Sequence, residues 1–232
     1  MSDRVFAIGD IHGCDTALNA LLDRLKLTPT DTVVVLGDIV DRGPGSRQVI
    51  ERLMTLHDEC NFVLIRGNHD EMMIKAYEGT DSYMSAMWLQ VGGLEALESY
   101  GGQTLGLVPE AHINFLKTSV DYWETETDVF IHGNLRPEIP LQSQHWEAMR
   151  WEHLSGVEAA LPDGRRVVCG HTSQKDGRPV VMEGWVCIDT FASGSGWLTA
   201  LETGTNEIYR SKETGQIEGP LWLDEVANEF HR

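Results

Sequence analysis

Five short apolar runs constrain this chain more than any other feature: RVFAIG (4–9), DTVVVLG (31–37), NFVLIRG (61–67), DVFIHG (128–133) and RRVVCG (165–170). Runs so short and so continuously apolar read as strands buried on both faces, which points to a layered α/β fold. Between the first three, Leu18, Leu21, Leu22 and Leu25, then Val49, Ile50, Leu53 and Leu56, recur at helical spacing. This pattern makes two βαβ units, so strands one to three should run parallel. Residues 70–124 read as mainly helical, through EMMIKAY, SAMWLQVGGLEALESYG and PEAHINFLKTSV, and this helical insertion, about 72–124, is expected to cover one end of the sheet. After residue 178, runs such as VVMEGWVCIDT and NEIYRSK, divided by Gly, Thr and Asn, suggest antiparallel strands and a second sheet. No linker or low-complexity tract interrupts the 232 residues, so one domain over 1–232 is expected, its last dozen residues prone to fray.

The residues just past each run carry the chemistry, because ligands of α/β sheets gather at the carboxyl ends of strands. Those ends read GDIHG, GDIVDRG, RGNHDE, HGN and CGHT. Asp10 and His12, two apart, can point the same way in extended backbone. Asp38, Asn68, His132 and His171 come from the other four ends. Six oxygen and nitrogen donors without a thiolate suit manganese, iron or zinc, and they are too many for one open ion and about right for two. Asp38, on the middle of the first three strands, is the natural shared carboxylate. Each motif alone has an ordinary explanation: an Asp in a strand-to-helix turn is often a cap, and a lone His is more often hydrogen-bonded core. Five such coincidences at five strand ends are hard to sustain.

A net charge of −18 should repel nucleic acid and anionic membranes, so a phosphate-bearing substrate would need a local positive field. No stretch approaches the ~18 apolar residues of a membrane span, and MSDRVFAIGD lacks the charged head and apolar segment of a signal peptide, so a cytoplasmic location is expected. Cys14, Cys60, Cys169 and Cys187 are widely spaced, without a CxxC pair, and read as reduced, mostly buried thiols.

The motifs GDIHG (9–13), GDIVDRG (37–43), GNHDE (67–71), HGN (132–134) and GHT (170–172), in that order, resemble the phosphoprotein phosphatase branch of the calcineurin-like metallophosphoesterases. The likeness continues into CIDTFASGSGWLTALE (187–202). It implies a four-layer αββα sandwich with a dinuclear metal site. By motif, Asp10, His12 and Asp38 would hold one metal, and Asp38, Asn68, His132 and His171 the other. His69 and Asp41 would form the catalytic pair, and Arg42 would grip phosphate. The chemistry agrees: two cations about 3.5–4 Å apart can polarise a shared water into hydroxide for in-line attack on phosphorus. A histidine oriented by a carboxylate can protonate the leaving oxygen, and a guanidinium matches two phosphate oxygens.

There are departures. Asn134 stands where the family favours a small residue, and Phe191 where it has the glycine of IDTG. In EAMRWEHL (147–154), the position of a second phosphate-binding arginine is His153, so either Arg150 substitutes from a shifted register or His153 makes a weaker contact. The resemblance implies a phosphomonoesterase using two divalent metals, manganese first, acting on phosphorylated serine or threonine in protein or on a small phosphoester. The alternative is a symmetrical bis(5'-nucleosyl)-tetraphosphatase, for which Tyr83, Trp88, Tyr100, Trp123, Trp146 and Trp151 could stack bases, although core packing suits them as well. A noncatalytic binding module should have lost a ligand or the His–Asp pair, and here every one of them is present.

Overall fold

The computed structural model describes residues 3–229. The apolar runs become β1 (Val5–Ile8), β2 (Thr32–Val35), β3 (Asn61–Leu64), β5 (Asp128–Ile131) and β6 (Arg166–Cys169), and α1 (Asp15–Leu25) and α2 (Ser46–Glu59) join the first three as parallel neighbours. Period-two alternation decides which layer each residue enters. Phe6, Ile8, Val33 and Val35 pack against Leu18, Leu21, Val49 and Leu53 of the two helices. Ala7, Val34 and Leu36 face the other way, onto Phe130, Val168 and Val186 of a second sheet.

The second sheet is where sequence and structure part. Its order is β12-β7-β8-β6-β5-β4, adding β4 (Tyr122–Glu124), β7 (Val180–Met182), β8 (Trp185–Cys187) and β12 (Asn228–Glu229) to β5 and β6. The first sheet runs β11-β10-β9-β1-β2-β3, taking β9 (Leu198–Glu202), β10 (Glu207–Ser211) and β11 (Ile217–Trp222). The carboxy-terminal strands are therefore shared between the sheets instead of forming one of their own. A strand buried on both faces carries no signal of which sheet it joins, so β5 and β6 read like continuations of the first.

The helical segment holds α3 (Asn68–Glu78), α4 (Ser82–Trp88), α5 (Leu94–Ser99) and α6 (Glu110–Lys117). It ends before the expected boundary at 124, because residues 122–124 pair with β5 as an edge strand. The outer face of the second sheet is covered by Leu135, Leu141, Leu154, Leu161 and by Met149 of the short helix α7 (Trp146–Trp151). Helices, two sheets and this thinner cover make the four layers of the sandwich.

Candidate active site

All five strand ends meet at one edge of the sandwich, three from the first sheet and two from the second. Asp10 and His12 leave β1, Asp38, Asp41 and Arg42 leave β2, and Asn68 and His69 open α3 directly after β3. His132 and His171 come after β5 and β6 across the intersheet boundary. Asp10, His12, Asp38, Arg42, Asn68, His69, His153 and His171 line a cavity of about 410 Å³.

The loops are strained to aim these groups. His12, Asp38, Asp41, Arg42, His171 and Phe191 all take φ between 47° and 74°, the left-handed region that side chains with a Cβ avoid. Backbone donors and buried carboxylates hold them there. Asp70 accepts from the amides of Gly67, Asp38 and Ile39 at 3.1, 2.9 and 3.0 Å, tying the second strand end to the third. A Cβ at Gly67 would overlap Asp38 Oδ1, so glycine there is what lets the two loops touch.

Asp38 is the centre of the arrangement. Its two oxygens lie 3.6 Å from His12 Nε2 and 3.4 Å from His132 Nε2, on opposite sides. Two donor groups share it: His12, Asp38 and His69, and Asp38, His132 and His171, each with ligand atoms within 4.8 Å of one another. The imidazole tautomers suit a metal. His12 Nδ1 donates to the Val40 carbonyl at 3.0 Å and His132 Nδ1 to the Leu36 carbonyl at 2.8 Å, so in the neutral rings Nε2 carries the lone pair, which in His12 accepts from Arg42 Nη1 at 2.8 Å and in His132 lies 3.2 Å from Asn68 Oδ1. His171 is reversed: its Nε2 donates to the Trp151 carbonyl at 3.0 Å, leaving Nδ1 free. Burial pushes His12 well below its ordinary value and His171 down to about 3, which keeps both rings neutral. Burial also disfavours the Asp38 anion, but His132 and His69 overcome it and hold that carboxylate well below its usual range. Asp10, by contrast, is pushed well up by burial and by the neighbouring carboxylates Asp189 and Asp38. A site where buried carboxylates crowd one another among imidazole nitrogens is chemically a receptor for cations, and the donor set fits two divalent ions.

Beside this cluster lies a buried histidine–aspartate pair. His69 Nδ1 is 2.7 Å from Asp41 Oδ2, and Trp88 Nε1 donates to the other oxygen of Asp41 at 2.9 Å. Burial opposes charge on His69, yet Asp38 and Asp41 together raise its affinity for a proton above the ordinary value. Arg42 reaches over both rings, Nη1 2.8 Å from His12 Nε2 and Nη2 3.0 Å from His69 Nε2.

The two candidates for a second phosphate contact separate. Arg150 is turned away from the cavity: it bonds Asp121 at 2.7 Å, lies 3.3 Å from Glu71 and stacks on Trp146. A guanidinium so committed anchors α7 and leaves phosphate to others, so the expectation that Arg150 substitutes for the missing arginine is corrected. His153 lines the cavity, its ring stacked on His171 with centroids 4.2 Å apart. Asn134, the other departure, donates to the His153 carbonyl at 3.1 Å and so fastens that loop. Phe191 takes φ 64°, the conformation a glycine would favour, its amide held by Asp189.

Sequence reasoning missed Asp189 and Lys175, which line the cavity, Asp70, and the apolar wall of Met72, Met87 and Val91; it named Trp88 and Trp151 only as aromatics that could stack bases or pack in the core. Asp70 and Asp189 were in view inside GNHDE and CIDT; Trp88 carried no signal separating it from a core aromatic.

Residues 3–191 match the family described as calcineurin-like phosphoesterase. A symmetrical bis(5'-nucleosyl)-tetraphosphatase of Paracidovorax citrulli is 45% identical over 76 residues, a stretch that is 32% of this chain and 26% of that protein. The match therefore spans about a quarter of the relative's length. A solved structure provisionally described as a diadenosine tetraphosphatase superposes with TM-score 0.65 at 21% identity, covering 96% of this chain and 95% of its own. A protein serine/threonine phosphatase of Saccharomyces cerevisiae superposes with TM-score 0.64 at 16% identity, over 94% of this chain and 81% of that one. At such identities the superpositions speak for the fold.

Proposed function

The chain belongs to the calcineurin-like phosphoesterase family, hydrolases of phosphoester bonds that use divalent metals, and on that premise we propose that it cleaves a dinucleoside polyphosphate in the cavity at the strand ends. The observation that carries the chemistry is the Asp38 carboxylate lying 3.6 Å from His12 Nε2 and 3.4 Å from His132 Nε2, with Arg42 and the His69–Asp41 pair beside it. Asp10, His12 and Asp38 would hold one ion, and Asp38, Asn68, His132 and His171 the other. When bound, two divalent ions, manganese first and iron or zinc as alternatives, supply positive charge for the phosphate and acidify a water.

The protein's own groups do the rest. Arg42 offers a planar fork to two phosphoryl oxygens. In its present position it donates to His69 Nε2; shifting onto phosphate frees that nitrogen to carry the proton that the leaving oxygen takes up. Asp41 holds the ring by Nδ1 and balances its positive charge. Met72, Met87, Val91 and Trp151 offer an apolar wall for what is attached to the phosphate.

Dinucleoside polyphosphate is preferred because relatives named for that activity are 43–45% identical over about a third of this chain. One observation favours the second reading, a phosphorylated serine or threonine in protein. With Arg150 engaged elsewhere, Arg42 and Lys175 are the two basic side chains of the Arg and Lys type lining the cavity, a set sized for one phosphate. A turnover panel on metal-free protein reloaded with manganese separates them, using diadenosine tetraphosphate, phosphoserine and phosphotyrosine peptides and an aryl phosphate. Fast turnover of the dinucleotide with negligible peptide activity is the expected result; the opposite ranking gives the second reading. Activity that survives complete metal removal would sink both.

A further inference from the structure

We propose that Trp88 is a positioning residue for the His69–Asp41 pair, and that the turn Leu89–Gly93 behind it fastens Asp41 and Arg42; the inference rests on the phosphoesterase reading. Asp41 and Arg42 are consecutive residues at φ 74° and 66°. Such conformations are costly for residues with a Cβ and persist only where the surroundings enforce them. Their own loop supplies one restraint, the Ser46 hydroxyl that accepts from the Asp41 amide at 2.9 Å. The helical segment supplies the others.

Trp88 is fully buried at the end of α4, and its indole N–H meets Asp41 Oδ1 while Oδ2 meets His69. An indole donates and never accepts, so this bond fixes the rotation of the carboxylate and leaves one oxygen, in one orientation, for the imidazole. It also favours the ionised form of Asp41, against a burial that pushes that carboxyl up. A hydrophobic core needs no donor aimed at a carboxylate; phenylalanine would fill it.

The backbone after Trp88 is shaped to the same end. Leu89–Gly93 is a wide π-helical turn with Gly92 at φ 130°, and the Gly92 carbonyl accepts from the Arg42 amide at 3.2 Å. A Cβ on Gly92 would come within 2.6 Å of the Arg42 nitrogen and 2.8 Å of its Cγ. A Cβ on Gly93 would come within 2.5 Å of the Trp88 ring. The wide turn and both glycines make room for the strained dipeptide and the indole, which is how π-type turns are commonly used beside functional sites.

The test exploits leaving-group chemistry. An acid pair matters most when the departing oxygen is basic, so Trp88→Phe should lower kcat about 10-fold or more for phenyl phosphate and under about 2-fold for 2,4-dinitrophenyl phosphate. KM and bound manganese should stay as in the wild type. In an Asp41→Asn background, Trp88→Phe should add nothing. Equal losses on the two esters, or full additivity with Asp41→Asn, would assign Trp88 to packing and overturn the proposal. Wild-type protein that turns over neither ester and no diadenosine tetraphosphate with manganese bound would instead defeat the phosphoesterase reading itself. Should Trp88→Phe fail to fold, replacing Trp88 with benzothienylalanine, an isostere without the N–H, makes the same comparison.

Discussion

The two ends of the strands bury the same residue type and give it different partners. At the amino-terminal end, Asp31 precedes β2 and Asp128 opens β5, each about 2% exposed. Arg4 bonds Asp31 at 3.0 and 2.6 Å, and Arg166 bonds Asp128 at 2.7 Å. At the carboxyl-terminal end, Asp10, Asp38 and Asp41 are as deeply buried, and among the described residues Asp38 and Asp41 face imidazoles and Asp10 the backbone amide of His171, instead of guanidinium or ammonium groups. A permanent cation closes the electrostatics of a buried carboxylate; a neutral ring leaves it open to an external cation. Burial of an acid therefore says little by itself, and the kind of partner separates structural from chemical carboxylates.

The sharpest break in that comparison is Asp38→Asn. It should lower kcat/KM by more than about 100-fold and reduce metal occupancy, since even groups one shell further out cost 10–100-fold. Stability of the metal-free protein at pH 8 should change little, because asparagine keeps the hydrogen bond that the His69 amide gives to Oδ1. His69→Asn should behave differently, with kcat down about 10²–10⁴-fold while both metals stay bound. Metal titration and initial rates on the two variants check this; normal turnover in His69→Asn with full metal would remove the proposed acid.

The catalytic end was the more legible of the two, for a physical reason. Motifs such as GDIVDRG put several charges beside glycines behind an apolar run, and few ordinary turns need that. The strands, the parallel order of the first three and the convergence of Asp10, His12, Asp38, Asn68, His69, His132 and His171 could therefore be read from the sequence. Membership of the second sheet could not, because β5 and β6 are buried on both faces and look like β1–β3. Arg150 misled for a related reason: it lies three residues before His153 and inside α7, which ends at Trp151, and from that helix its guanidinium reaches Asp121. Trp88 was read as a base-stacking or core aromatic, because an indole shows no other role until its N–H is seen to point at a carboxylate.

Arginine gives the next, smaller contrast. Arg42→Ala should cost about 100-fold in kcat/KM, the scale of losing one charged donor to a reacting group. Arg150→Ala should cost less than about 10-fold there, acting only through Trp151, whose carbonyl holds His171, and should lose about 1–3 kcal/mol of stability as Asp121 and Glu71 lose a charged partner. Similar kinetic losses in both would mean that Arg150 reaches the substrate after all.

Asp31→Asn should have the smallest kinetic effect and a clear signature in stability. Burial tends to raise the Asp31 pKa, but Arg4 and Thr28 overcome it and hold the carboxyl at about 2. A depressed carboxylate contributes stability that is fully present above its unfolded value of roughly 4 and is lost as pH falls through the folded value. Wild type should therefore exceed Asp31→Asn by about 1–3 kcal/mol at pH 7, and the gap should close between about pH 4 and 2. Denaturant midpoints across that range measure it, with kcat at pH 7 as the control. A gap that persists unchanged at pH 2 would show that Asp31 acts by shape and hydrogen bonding alone. The contrast between charge-closed and charge-open ends would then rest on Asp128 and Arg166 only.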